Sequence, residues 1–154
     1  MKSLLRLMSV LPGLLAALVM LSATHVLAAE ELPTVEVYKS PSCGCCGFWV
    51  EHMKQSGFKV NIHNVQDVTP VRQNFGVPDA MASCHTAVVG GYAIEGHVPA
   101  ADVKRLLRER PKAAGIAVPG MAQGSPGMEQ GRGKDPYNVV LFNSGGRSSI
   151  FAQH

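Results

Sequence analysis

The sequence predicts an α/β domain built on a mixed sheet. Three observations carry that reading: alternating apolar stretches over residues 34–38 and 58–65, a helix-periodic stretch between them, and a Gly90-Gly91 turn flanked by two further strand patterns. Residues 34–38 alternate and are rich in Val, Thr and Tyr, which suits a strand. Lys39, Ser40, Pro41 and Ser42 form a loop, with Ser42 as the expected N-cap of a helix over 43–56. Phe48, Trp49, His52 and Met53 share one side of that helix, and Gly57 stops it. Thr69-Pro70 opens a short helix ending at Gly76, and the following loop delivers Cys84 and His85. Residues 86–89 and 92–95 then form a hairpin. Pro99 starts a helix with Val103, Leu106 and Leu107 as its apolar stripe, and Pro111 ends it. Arg105, Arg108 and Arg110 read as its solvated face, placed where positive charge suits the helix dipole. Residues 112–135 shift to Gly, Pro, Ala and Gln and read as an irregular loop, and 137–142 with 148–152 close the chain as a hairpin. A crossover helix after the first strand implies a parallel central pair. The order β-α-β-α-β-β-α is that of a thioredoxin-like α/β fold, with a mixed central sheet, a Gly/Pro/Met-rich loop and a C-terminal hairpin.

The first 28 residues read as a cleaved secretory signal. Lys2 and Arg6 precede an apolar run over 7–21, and Val26-Leu27-Ala28 supplies small residues before a cut. The run is short for a bilayer span and contains Pro12 and Gly13. Residues 29–154 are then one domain with a core of its own. Removal of Lys2 and Arg6 lowers the formal net charge of +3 by two. So near-neutral a chain gives no reason to expect nucleic acid, or a membrane after signal removal, as a partner. Export to the periplasm is the expected localisation, where free thiols pair unless a metal or a reductant holds them.

Cys43-Gly44-Cys45-Cys46 concentrates the chemistry: three of the chain's four cysteines in four residues, at a strand-loop-helix junction. The positive end of a helix stabilises thiolate, so Cys43 and Cys45 are expected to be acidic thiols. Thiolate serves both disulfide exchange and metal ligation, and the cluster alone does not separate them. In a thioredoxin-like fold the loop entering the third strand passes the dithiol, and here it carries Ser83-Cys84-His85-Thr86 where a proline is usual. All four sulfurs then converge. Clustered thiolates favour soft ions, above all Cu(I). Adjacent Cys45 and Cys46 are too crowded to close on one tetrahedral zinc together with Cys43, whereas Cu(I) tolerates two or three bridging sulfurs. Met121 and Met128 lie in the Gly/Pro loop, off any amphipathic stripe, and offer thioether ligands. His85 is a ligand or a tuner of the neighbouring thiol. His52 reads as a satisfied half-buried histidine and Trp49 as core, while His63 and His97 carry no strong signal.

These motifs resemble a known family. Cys43-Gly44-Cys45-Cys46-Gly47 with Trp49 and His52, Gly57-Phe58, Gly76-Val77-Pro78 and Ser83-Cys84-His85-Thr86 are similar to those of the CopG-type periplasmic proteins. So are Ala117-Val118-Pro119-Gly120-Met121 and Gly124-Ser125-Pro126-Gly127-Met128-Glu129. That family was long catalogued as a domain of unknown function and is encoded among copper-resistance genes. The resemblance runs from about Thr34 to the C-terminus. It implies a thioredoxin-like fold, copper binding through the matching cysteines, a role in copper tolerance and copper redox chemistry.

The expected function is therefore periplasmic copper binding, with Cu(I) held by Cys43, Cys45, Cys46 and Cys84 and further ligands from His85, Met121 and Met128. Expected partners are copper ions and other periplasmic copper-handling proteins. Whether the protein turns over as a copper-linked oxidoreductase stays open. The alternative is a thiol–disulfide oxidoreductase using Cys43 as nucleophile and Cys46 as resolving thiol. A third reading is a module merely stapled by disulfides.

Overall fold

The computed structural model describes residues 31–129, 131 and 133–154; the expected signal, residues 1–28, lies outside the described residues. Nine of the ten α-helices and strands among the described residues follow the predicted order. Strand β1 (Val35–Lys39) buries Val35 and Val37 on the core face, as its alternation requires. Helix α1 (Gly44–Gln55) crosses to β2 (Val60–Asn64), which pairs parallel to β1. A short α2 (Thr69–Asn74) and one 3-10 turn at Asp79–Met81 lead into β3 (His85–Val89), which runs antiparallel to β1. The Gly90-Gly91 turn, both residues at positive φ, closes the hairpin to β4 (Tyr92–Glu95). Helix α3 (Ala100–Glu109) ends at Arg110 in the left-handed conformation, just before Pro111.

The remaining strands are β5 (Gly115–Ala117), β6 (Asn138–Phe142) and β7 (Ser148–Gln153). All seven strands form one mixed sheet in the order β2-β1-β3-β4-β5-β6-β7. The mixed α/β class is as expected. The parallel β1–β2 pair and the antiparallel hairpin, on which the thioredoxin-like expectation rested, are both present.

Three local expectations are corrected. The stretch expected to be an irregular loop contains β5, which pairs parallel to β4 and antiparallel to β6 and so joins the C-terminal hairpin to the sheet. Its three residues are too few for a periodicity, and Gly115 disguises it. That glycine is required because a Cβ would collide with the Ala93 carbonyl. Ser42 is not the N-cap of α1: its hydroxyl bonds Ser40 at 2.9 Å, and Cys43 holds the cap position without a side-chain bond. Phe48 is 53% exposed, and the inner face of α1 is Cys46, Trp49, Val50 and Met53.

The main core lies between the sheet and helices α1 and α3, with Trp49, Met53, Val35, Val37, Ile94, Val103, Leu106 and Ile116 at its centre. Trp49 satisfies its indole N–H on the Val98 carbonyl at 2.8 Å, so the largest core side chain is also a fixed point. Among the described residues no helix is long and apolar enough to cross a membrane.

Candidate metal centre

The β1–α1 junction places the first three thiols. Ser40-Pro41-Ser42 turns the chain, and the Cys43 N–H closes the turn on the Ser40 carbonyl at 3.1 Å. Cys46 then falls on the buried face of α1, while Cys43 and Cys45 stay half-buried at its positive end. Cys43 and Cys46 are joined in a disulfide, so the Cys43 sulfur, expected to be an acidic thiol, does not titrate in this state. Cys45 and Cys84 are free thiols.

Cys84 comes from the loop before β3 and meets this group as the sequence requires. Its Sγ lies 3.5 Å from Cys46 Sγ, and Cys45 Sγ lies 3.5 Å from Cys43 Sγ. The four sulfurs lie within 4.8 Å of one another. Thiolates sharing an ion at about 2.3 Å stand up to about 4.6 Å apart, so the group is close to the compactness a soft metal requires once the disulfide is opened. Reduction of Cys43–Cys46 takes two electrons and supplies the two missing thiolates.

Burial pushes the Cys84 thiol up to about 12, helped by the neighbouring Cys45 and opposed by a hydrogen bond from Ser83. A positive ion is the natural compensation for a thiolate there. Burial, then the cationic forms of His97 and Lys39, push His85 down to about 3, so its ring is neutral. His85 packs against Trp49 with ring centroids 4.5 Å apart, and its Nδ1 faces Cys84 Sγ at 3.4 Å. Its buried Nε2 has no hydrogen-bond partner.

The two methionines differ in burial. Met128 is half-buried in the turn that covers the site, whereas Met121 is 58% exposed. The turn comes close because Gly127 has no side chain. At φ +85°, a Cβ there would lie 2.8 Å from both the Cys45 carbonyl and the Trp49 nitrogen. His52 is a satisfied histidine as expected, its Nε2 accepting from the Ala100 N–H at 3.0 Å. His63 pairs with Glu36 on the surface.

Several residues that position the site gave no signal of their own. His97 was assigned none, yet its Nε2 lies 3.0 Å from Cys84 Sγ, and its Nδ1–H donates to the Pro126 carbonyl at 2.8 Å. The sign was in the hairpin: pairing about Gly90-Gly91 sets Thr86 against Glu95, and two steps outward Cys84 falls opposite His97. Glu95, fully buried, accepts from the Ser83 N–H at 2.7 Å, the Thr86 hydroxyl at 2.6 Å and Arg72 Nε at 3.0 Å. Arg72 Nη2 also donates to the Ser83 carbonyl at 2.8 Å. The residue before Cys84 is thus gripped at both its backbone groups.

A family model described as a protein of unknown function, DUF411, matches residues 81–128, the segment that holds Cys84, His97 and the covering turn. No curated protein matches. Two solved structures of copper resistance protein CopG, form 2 and form 1, are each 46% identical to this chain and cover 80% of it. Of those chains 99% and 98% are covered, with TM-scores of 0.76 and 0.75. With that identity over almost the whole of both relatives, this chain belongs to the CopG copper-resistance protein family.

Proposed function

We propose that the protein is a periplasmic copper-binding protein of copper resistance that holds Cu(I) on Cys43, Cys45, Cys46 and Cys84. The observation that carries this reading is the convergence of four sulfurs from two distant segments within 4.8 Å. His85, whose Nδ1 lies 3.4 Å from Cys84 Sγ, is the nearest further ligand, and Met128 and Met121 are proposed as thioether ligands from the covering loop. Opening the Cys43–Cys46 disulfide takes two electrons, which two Cu(I) ions supply on becoming Cu(II); this is the route for copper redox interconversion. The signal pattern of residues 1–28 supports export, with copper ions and other periplasmic copper-handling proteins as partners.

Anaerobic titration of the reduced protein with Cu(I), against a competing chelator, tests the reading. The expected result is binding at least about a hundredfold tighter than in a Cys43→Ser, Cys45→Ser double variant; equal affinities overturn it. Fractionation of cells expressing the full chain tests the compartment, with recovery in the cytoplasm as the contrary result.

The Cys43–Cys46 disulfide at a helix start favours a second reading, thiol–disulfide exchange with Cys43 as nucleophile. That activity would survive Cys45→Ser, which the copper reading requires to damage the site. Insulin reduction by the Cys45→Ser variant separates the two.

A further inference from the structure

Helix α3 packs along β7 and then runs out. Asp102 accepts from His154 Nε2 at 2.7 Å, and one turn later Arg105 donates to the Phe151 carbonyl at 3.2 Å. The helix stops at Glu109, where Pro111 disfavours helical backbone in the residue before it and Arg110 turns left-handed. The start of β7 is left without its helix. A cavity of about 130 Å³ opens there, lined by Lys112 and Ala113 of the α3–β5 linker and by Leu141, Asn143, Arg147 and Ser149 of the β6–β7 hairpin. Leu141, packed on the main core, pairs with Ser149 on the face that carries α3, and the next pair outward, Asn143 and Arg147, shares that face.

The polar side chains around this cavity are donors. Asn143 Oδ1 already accepts from the Gly145 and Arg147 N–H groups, both at 3.1 Å, which leaves its amide N–H groups for a ligand. Ser149 adds a hydroxyl. Lys112 and Arg147 add full charges that meet no carboxylate among the described residues. No acidic residue lines the cavity, and Glu109, close by in sequence, is held by Arg105 at 2.8 Å. The negative end of α3 is offset by Arg108 and Arg110, both exposed.

We propose that this cavity binds a phosphate-class oxyanion, with Arg147 and Lys112 neutralising its charge and Ser149 and Asn143 donating to its oxygens. Two cations, a hydroxyl and an amide around one cavity without a counter-charge suit an anion. Four donor groups match the four oxygens of a phosphate better than the two of a carboxylate. The volume is several times the roughly 30 Å³ of one water, so a tetrahedral oxyanion fits with water around it. Tyr92, at the far end of β4 from Glu95, donates its hydroxyl to the Pro111 carbonyl at 2.9 Å, so the cavity sits at the end of the sheet away from Cys84. The inference stands apart from the copper reading and needs no metal.

The test titrates the metal-free protein with inorganic phosphate in low-chloride buffer, followed by amide resonances and calorimetry. The expected result is one saturable site with a Kd of about 1 mM or tighter, and shifts centred on residues 112–113 and 141–149. Lys112→Gln combined with Arg147→Gln should weaken binding at least about tenfold, and Ser149→Ala about threefold. Lys54→Gln, which removes an exposed cation of α1, should change it by less than about twofold. All four residues are exposed, so unchanged denaturation midpoints separate loss of a ligand group from loss of the fold. Vesicles containing phosphatidylglycerol form the second arm. Retention on them that phosphate displaces assigns the site to a lipid headgroup, and no retention assigns it to the free anion. Three results would overturn the proposal: affinity unchanged in the double variant, unsaturable shifts spread over every surface cation, or vesicle binding that phosphate does not displace.

Discussion

The two sources of sulfur in this protein are held in place by opposite means. Cys43, Cys45 and Cys46 are brought together by chain adjacency, at the rim, and one covalent bond joins two of them. Cys84 arrives from 38 residues beyond Cys46 and is fixed by buried polar groups: Glu95 and Arg72 on Ser83, with His85 and His97 on the thiol itself. A local cluster tolerates change because the backbone re-forms it whatever the side chains do. A tertiary one does not, because each buried polar group removed leaves its partners unpaired. The proposed copper site therefore joins a chemically dense half of low structural cost to a sparse half on which the fold depends.

The largest break in this contrast is expected at Glu95. Glu95→Ala leaves Arg72, the Ser83 N–H and the Thr86 hydroxyl without their shared acceptor in a buried place. The expected loss is about 3–5 kcal/mol of unfolding free energy in denaturant titrations. Cys45→Ser, on the other half, should change stability by less than about 0.5 kcal/mol. A Glu95→Ala loss under about 1 kcal/mol would mean that the Cys84 loop is held by packing, and the contrast would fail.

A smaller effect is expected from acid on the metal-free protein. His85 stays neutral in the folded chain down to about pH 3, whereas the unfolded chain protonates it near 6.5. Between those values the unfolded state binds more protons, so stability is complete above about pH 6.5 and declines as pH falls. The slope from this residue is at most about 1.4 kcal/mol per pH unit, roughly 2 kcal/mol by pH 5. His52 and His97 are lowered by burial and act in the same sense. Glu95, raised by burial, acts in the opposite sense just above its ordinary value of 4.5. Denaturation midpoints measured from pH 7 to pH 5 should show the decline, and His85→Gln should flatten it. An unchanged slope in that variant would place the acid sensitivity elsewhere.

The same contrast governs what could be read from the chain. The knuckle was legible because its chemistry and its proximity are both written in four consecutive residues. The approach of Cys84 was legible through the fold, since a strand order placed its loop beside α1. His97 was not recognised because a lone histidine has no periodicity. Only the register of the hairpin, carried two residues past Glu95, sets it opposite Cys84. Glu95 and Arg72 drew no reading of their own, because nothing in their neighbourhoods says they meet across 23 residues. Strand β5 was hidden because three residues cannot display alternation, and its Gly115 is needed for contact, which sequence does not show. Local pattern reveals elements and motifs, while pairings between distant polar residues become visible only once the register is known.

The smallest effect sits between the two halves, at His52. Its ring leaves α1 nearly two turns beyond Cys45 and accepts the Ala100 N–H at 3.0 Å, supplying α3 with a cap that its own Pro99 cannot give. His52→Ala should cost about 1 kcal/mol, the usual worth of a lost helix cap, read from the denaturation midpoint. Its effect on the proposed copper site should be nil, because the nitrogen is already committed to the backbone of another helix. Cu(I) affinity of the reduced protein unchanged in His52→Ala, beside its loss in the cysteine variants, would confine the site to the loop side of α1. A joint fall in stability and Cu(I) affinity would instead show that the α1–α3 contact sets the pose of the knuckle. The local half would then depend on tertiary structure after all.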